Sequence, residues 1–254
     1  MRTLRILFLH ELKSLAIAAP TYIASALFLA LMGFLYWQAL REATELPLDY
    51  TPVQGWFKWF PPALIVVVPL LTMRSFAEER RMGTLGALFS TPVHPVQVVY
   101  AKFAAIYVMY LVMCALALLF PCMAWWYLND LYGDPRLLSL PSLLGGYSFV
   151  AVSGALYLAV GMLASSLTRS MLVAAMLTFC ALFLVILFGW LLQQIPPGVD
   201  SWEARVQQYA DYLHTYQHLG LFLRGIVDTR TIFLFGTGAM LALGLTSLTI
   251  QSKA

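Results

Sequence analysis

Five of the eight residues from Arg74 to Arg81 (RSFAEERR) are ionic: Arg74, Glu78, Glu79, Arg80 and Arg81. The cluster directly follows PPALIVVVPLLTM, a run with no charge. Adjacent carboxylates and guanidiniums neutralise one another and offer charge-assisted hydrogen bonds, which is the chemistry of docking rather than of bond making. The same charges also suit an ordinary solvated loop held in the cytoplasm by its arginines, and the spacing alone leaves both readings open. A second constellation is His214 and His218 in HTYQH, whose i,i+4 spacing could place two imidazoles on one metal. Nothing nearby in sequence supplies a third ligand, so they read as interfacial aromatics on an amphipathic helix. H-E-x-x-H, G-x-S-x-G and the phosphate loop G-x-x-x-x-G-K-[ST] are absent. Energised work by this chain therefore requires a partner that hydrolyses the nucleotide. Cys114, Cys122 and Cys180 lie in apolar runs without a C-x-x-C, and they read as small buried hydrophobes.

The elements that must position these groups are set by lipid. The chain has 254 residues, 61% apolar and 11% charged, with a mean hydropathy of +0.79. Soluble domains are about 45–50% apolar and about 25% charged, and no aqueous core buries such an excess. The net charge of +3 is small, and no basic stripe interleaved with aromatics appears, which argues against nucleic-acid binding. The whole chain reads as one all-α membrane domain.

Crossing the hydrocarbon core takes about 20 apolar residues as helix. Six segments qualify: 20–40, 61–73 extended by Phe76 and Ala77, 103–127, 141–167, 171–192 and 231–250. Trp37, Trp56, Trp59, Trp125 and Trp190 fall near segment ends, where headgroup-level aromatic belts are expected. No span centre carries an ionisable residue, which argues against a proton-coupled transporter, a cation pump, a voltage sensor or an intramembrane enzyme. Six spans place both termini on one side. That side collects Arg2, Arg5, Lys13, Arg74, Arg80, Arg81, Lys102, Arg169 and Lys253; the other has Arg41, Lys58, Arg136, Arg205, Arg224 and Arg230. The excess of positive charge assigns the termini to the cytoplasm.

Residues 1–19 interleave Leu4, Leu7, Leu12 and Leu15 with Arg2, Arg5, His10, Glu11 and Lys13, which predicts an interfacial amphipathic helix. The run that follows reads as a retained first span, not a cleavable signal. On the cytoplasmic side, Arg74–Arg81 would continue the second helix into water. Met82-Gly83 permits a bend, and Leu85, Leu88 and Phe89 give a short helix with one apolar face, ended at Thr91-Pro92. On the outer side, 193–230 is too long for a plain turn. Asp200 and Glu203 have capping-box spacing, and Trp202, Val206, Tyr209, Leu213 and Tyr216 recur helically, which predicts an external amphipathic helix. Ala151, Ala155 and Ala159, with Gly238, Ala242 and Thr246, form small-residue faces that read as packing faces within the bundle or a dimer face.

These segments carry a resemblance. FAEERRMGTLGALFSTPVHPVQVVYAKF resembles the E-R-x-x-G-T-L…T-P-V…K-F segment of ABC-2-type permeases, nearest the gliding-motility-associated branch. HELKSLAIAAPTYIASALF is similar to that branch's entry helix and first span through Glu11, Leu12, Lys13, Pro20 and Tyr22. YQHLGLFLRGIVDTRTIFLF is similar to its segment before the last span through Phe222, Arg224, Gly225, Asp228 and Arg230. The resemblance implies a type V exporter-like fold: six spans, a cytoplasmic coupling helix between spans 2 and 3, and an external, partly re-entrant element between spans 5 and 6. It implies a multi-pass protein of the bacterial inner membrane, with a second permease copy or paralogue and separate ABC ATPase subunits that hold ATP and magnesium. Membrane lipid and an extracytoplasmic accessory subunit complete the expected partners; the chain itself would bind no cofactor. Glu78, Glu79, Arg80, Arg81, Gly83, Thr84 and Leu85 would form the ATPase-facing coupling region. Relatives often carry an acid after G-T-L, where this chain has Gly86. That removes a charge and weakens a helix there by about 1 kcal/mol relative to Ala. The expected function is an exporter's permease subunit. The competing readings are a membrane scaffold or sensor that recruits an ATPase, and a haem- or polysaccharide-exporter-like permease.

Overall fold

A computed structural model describes residues 2–45, 51–83, 95–132, 139–193 and 215–252. Those residues form eleven helices and no strand. In chain order they are α1 (Arg2–Ile17), α2 (Ala19–Glu45), α3 (Pro52–Phe57), α4 (Phe60–Thr72), α5 (Ala77–Met82) and α6 (Pro95–Ala117). They continue as α7 (Leu119–Tyr132), α8 (Leu140–Leu167), α9 (Met171–Gln193), α10 (Thr215–Leu223) and α11 (Thr229–Gln251). Five helical stretches are long and apolar enough to cross a bilayer: Ala19–Ala43, Phe60–Met82, Pro95–Tyr127, Leu140–Leu167 and Thr229–Gln251. The described apolar stretch of α9, Met171–Ile186, is shorter.

Proline sets several boundaries. Pro20 has no N–H for a helix running on from α1, so the chain breaks at Ala18 and restarts, with Pro20 harmless in the first turn of α2. α6 and α7 break at Leu118, just before Pro121. Thr51 and Gln54 form a capping box on α3, with Pro52 at its first position.

α8 is the central helix; α3, α4, α6, α9, α10 and α11 all pack on it. The alanine stripe read from the sequence contributes Ala159, which is fully buried. The closest approaches fall instead on glycines, because a helix can touch another backbone only where no Cβ intervenes. A Cβ at Gly145 would fall on the Phe222 carbonyl of α10, and one at Gly154 would strike the Tyr110 ring. Tyr110 then donates its hydroxyl to the Val150 carbonyl at 2.9 Å.

α2 buries Ala24, Phe28, Met32, Tyr36 and Ala39 at helical spacing and turns Ile23, Leu27 and Phe34 outward. α11 likewise exposes Phe233, Met240, Leu241 and Leu248. Large apolar side chains on the outside and tight polar pairing inside fit a bundle whose solvent is lipid. Trp56, expected at the headgroup belt, is fully buried and donates to the Met32 carbonyl at 2.9 Å; Trp59 is the exposed member of that pair.

The two ends of the bundle differ. At one end α3, the start of α8 and α10 meet: Ser142 donates to the Leu223 carbonyl at 2.8 Å, and Gln54 bonds Ser142 at 3.0 Å. At the other lie α1, α5, the end of α8 and the end of α11, where Ser166 and Thr249 share a 2.8 Å hydrogen bond. Both terminal helices thus approach the α5 end.

Candidate functional site

The ionic cluster is not an unbroken continuation of the second span. α4 stops at Thr72, four residues turn, and α5 begins a new short helix at Ala77. Phe76, at the N-cap position, supplies no capping side chain. The cap comes from α8: Ser165 Oγ accepts from the Phe76 N–H at 3.2 Å and the Ala77 N–H at 3.1 Å, and donates to the Met73 carbonyl at 3.1 Å. A helix start leaves N–H groups without intrahelical partners, and here a neighbouring span satisfies them. One serine hydroxyl therefore fixes where α5 starts relative to α8.

Charge order within α5 suits its dipole. Glu78 and Glu79 occupy the first turn, and Arg80 and Arg81 the last. Gly83 closes it in the left-handed conformation, at φ 70°. The Met82-Gly83 step anticipates that turn, because glycine adopts a positive φ without a Cβ penalty. Arg74 reaches forward from the turn and grips Glu78 with two parallel bonds, Nε–Oε2 at 2.6 Å and Nη2–Oε1 at 2.8 Å. Such bidentate pairing is the strong form of a charge-assisted hydrogen bond.

Lys102, counted from the sequence as a loop charge, stands inside α6 and is 5% exposed. Its ammonium bonds Glu79 Oε1 at 2.7 Å and Glu11 Oε1 at 2.9 Å. It also lies 5.6 Å from the centroid of the Phe76 ring, within cation–π range. A buried cation persists only when paired, and two carboxylates from two other helices pair this one. The bridge therefore joins α1, α5 and α6 at a single atom. Between α1 and α5 a cleft of about 330 Å³ opens beside the bridge, lined by His10, Ser14, Arg74 and Met82 among others.

Of the expected coupling residues, the structure brings Glu78 to Arg74 and Glu79 to Lys102. Arg80 is half buried, and its Nη2 is buried with no hydrogen-bond partner among the described residues; Arg81 and Gly83 are exposed. Thr84 and Leu85, with the helix expected around Leu88 and Phe89, lie outside the described residues. Ser165 and the bridging role of Lys102 were missed from the sequence. The available signal was Ser165-Ser166 ending an otherwise apolar span, and a lysine among apolar residues at the start of another.

The remaining motifs resolve structurally. His214, and the outer helix expected from Asp200, lie outside the described residues. His218 shares a 2.8 Å hydrogen bond with Thr231, and no group of three metal-binding side chains occurs among the described residues. The segment before the last span is α10 and a turn: Phe222 of α10 packs edge-on to Phe149, Gly225 turns at φ 80°, and Asp228 caps α11 through the Arg230 N–H at 2.9 Å.

A family model described as ABC-2 family transporter protein matches residues 53–206, more than half the chain. The match runs from α3 through α9 and contains α5, Lys102 and Ser165. No curated protein matches the chain. An apolar all-helical bundle, an ionic short helix clamped between its spans, and this match together identify the chain as a member of the ABC-2 transporter family, a membrane component of ABC transport.

Proposed function

We propose that this chain is the permease subunit of an ABC exporter, moving its substrate across the bacterial cytoplasmic membrane with energy from a separate ATPase subunit. α9 is the fifth of six spans and α11 the sixth, both termini face the cytoplasm, and the α5 end of the bundle meets the ATPase. A second permease copy or paralogue completes the path, and the segment before α11 forms an external, partly re-entrant element. The resemblance of the three segments described above to the gliding-motility-associated branch supports assignment to that branch.

The observation that carries this reading is α5 itself. It presents Arg80, Arg81 and Gly83 at the end of the bundle while Ser165 and Lys102 hold its other side against α8 and α6. A soluble partner pushing on α5 would therefore move α4, α6 and α8 together, where a slack loop would absorb the push. Arg81 and Gly83, exposed at the end of α5, are open to that partner. ATP and magnesium belong to the ATPase; this chain supplies path and lever.

The test is co-purification with the ATPase and nucleotide turnover of the complex. Replacing Glu79 and Arg80 together by Ala should leave membrane insertion intact. Losing a desolvated charge contact costs about 2–5 kcal/mol, so ATPase binding should weaken at least about tenfold. A double variant that binds its ATPase and supports coupled hydrolysis like the wild type refutes the coupling role. A wild-type chain that binds the ATPase but never responds to any cargo would be the scaffold instead.

A further inference from the structure

α1 presents two unlike faces. Inward, it packs along α6 and sends Glu11, its sole acidic residue, to Lys102. Outward, it exposes Ile6, Leu9 and Ile17 together with Arg5 and Lys13. Arg5 and Lys13 are eight residues apart, about 12 Å along the helix, with Leu9 between them. An exposed face that is apolar along its middle, flanked by cations and free of acids, is complementary to one surface in particular: the headgroup region of a leaflet containing anionic phospholipid. α2 enters its apolar run directly after α1, so this face lies beside the start of the first candidate span.

We propose that the outer face of α1 binds anionic phospholipid headgroups, and that Lys102 relays this contact to α5. The relay is geometric. Glu11 and Glu79 share one ammonium, at 2.9 and 2.7 Å, so a displacement of α1 along the membrane plane loads or releases the carboxylate that positions α5. The cleft between α1 and α5 gives that displacement room. Lys102 is a positioning residue, and the lipid acts as a regulator of the coupling segment. Neither step needs the ATPase, so this proposal and the permease reading fail separately.

The experiment uses the full chain. Retained lipid is counted by native mass spectrometry after purification from equal mixtures of phosphatidylglycerol and phosphatidylcholine. Phosphatidylglycerol should be retained in preference, and that preference should fall roughly fivefold for each of Arg5→Gln and Lys13→Gln. It should vanish near 1 M salt, where the Debye length is about 3 Å. Spin labels at positions 14 and 82, both exposed on the cleft, then report the α1–α5 distance in vesicles of phosphatidylcholine with and without phosphatidylglycerol, with the exposed Cys122 and Cys180 replaced by Ala. The distance distribution should change with phosphatidylglycerol in the parent and not in Lys102→Met, which should still retain the lipid. Glu11→Gln removes the same link more gently and should also abolish the response, which keeps the test decisive if Lys102→Met fails to fold. Equal retention of the two lipids, or retention indifferent to Arg5 and Lys13, overturns the lipid site and leaves the face to a protein partner. A full lipid response in Lys102→Met and Glu11→Gln overturns the relay.

Discussion

Ser165→Ala isolates the contact that fixes α5 to α8. The substitution removes one oxygen and leaves three backbone groups seeking partners: the buried Phe76 and Ala77 N–H groups and the partly buried Met73 carbonyl. Losing a helix cap costs about 0.5–2 kcal/mol, and an orphaned buried polar group about 1–3 kcal/mol. The two N–H groups shared one acceptor, and α5 is exposed at its far end, so water can recover part of the loss. About 2 kcal/mol of local stability is the expected cost, or roughly a thirtyfold rise in local opening at about 1.4 kcal/mol per tenfold. Amide hydrogen exchange measures this directly. Amides from Phe76 to Arg80 should exchange about thirtyfold faster, while those of α8 and α11 keep their wild-type rates. Ser166→Ala is the control, since the hydrogen bonds of Ser166 go to the Leu163 carbonyl and Thr249 rather than to α5. Unchanged exchange at Phe76 and Ala77, or acceleration spread evenly over the bundle, would show that Ser165 is not what fixes α5.

Other perturbations probe the remaining contacts. Gly145→Ala drives a methyl into the Phe222 carbonyl and should prevent α10 from seating, read as protease cleavage between α9 and α11. Gly244→Ala, where nothing lies within 4 Å, should be neutral or stabilise α11 by up to about 1 kcal/mol. Trp56→Phe keeps the ring contacts with Phe57 and Phe60 but orphans the Met32 carbonyl. It should lower stability by about 1–2 kcal/mol in denaturant titration. Impermeant labels should reach position 209 from outside intact cells, while a tag at Ala254 and a label at Ser90 react only after the membrane is opened; the reverse pattern would invert the bundle and remove α5 from any cytoplasmic ATPase.

How much was legible follows from which interactions are local. Pro20 ends one helix and begins another through its own missing N–H, and the pattern of residues 1–19 gave α1 its two faces. The Met82-Gly83 step permits a bend after the charge cluster, and the left-handed backbone found at Gly83 is where glycine costs least. The alanine stripe on the fourth span was a fair but incomplete reading: small residues do face neighbours in α8, yet Gly145 and Gly154 rather than Ala151 set the closest approaches. Trp56 was misread because an aromatic near a span end suits both a headgroup belt and a buried hydrogen bond, and only the Met32 carbonyl 24 residues away distinguishes them.

By itself the sequence determined that lipid must be the solvent, that the helices are long and apolar, that the charge density peaks between Arg74 and Arg81, and which family the chain resembles. Each depends on composition or on residues near one another along the chain. Tertiary structure alone decided what those charges do. Glu11 and Glu79 converge on Lys102 from 91 and 23 residues away, and Ser165 caps a helix that starts 88 residues before it. No local pattern encodes such partners. Buried ions and uncapped helix ends must be satisfied, but which distant side chain satisfies them is fixed only when the bundle closes and water is excluded.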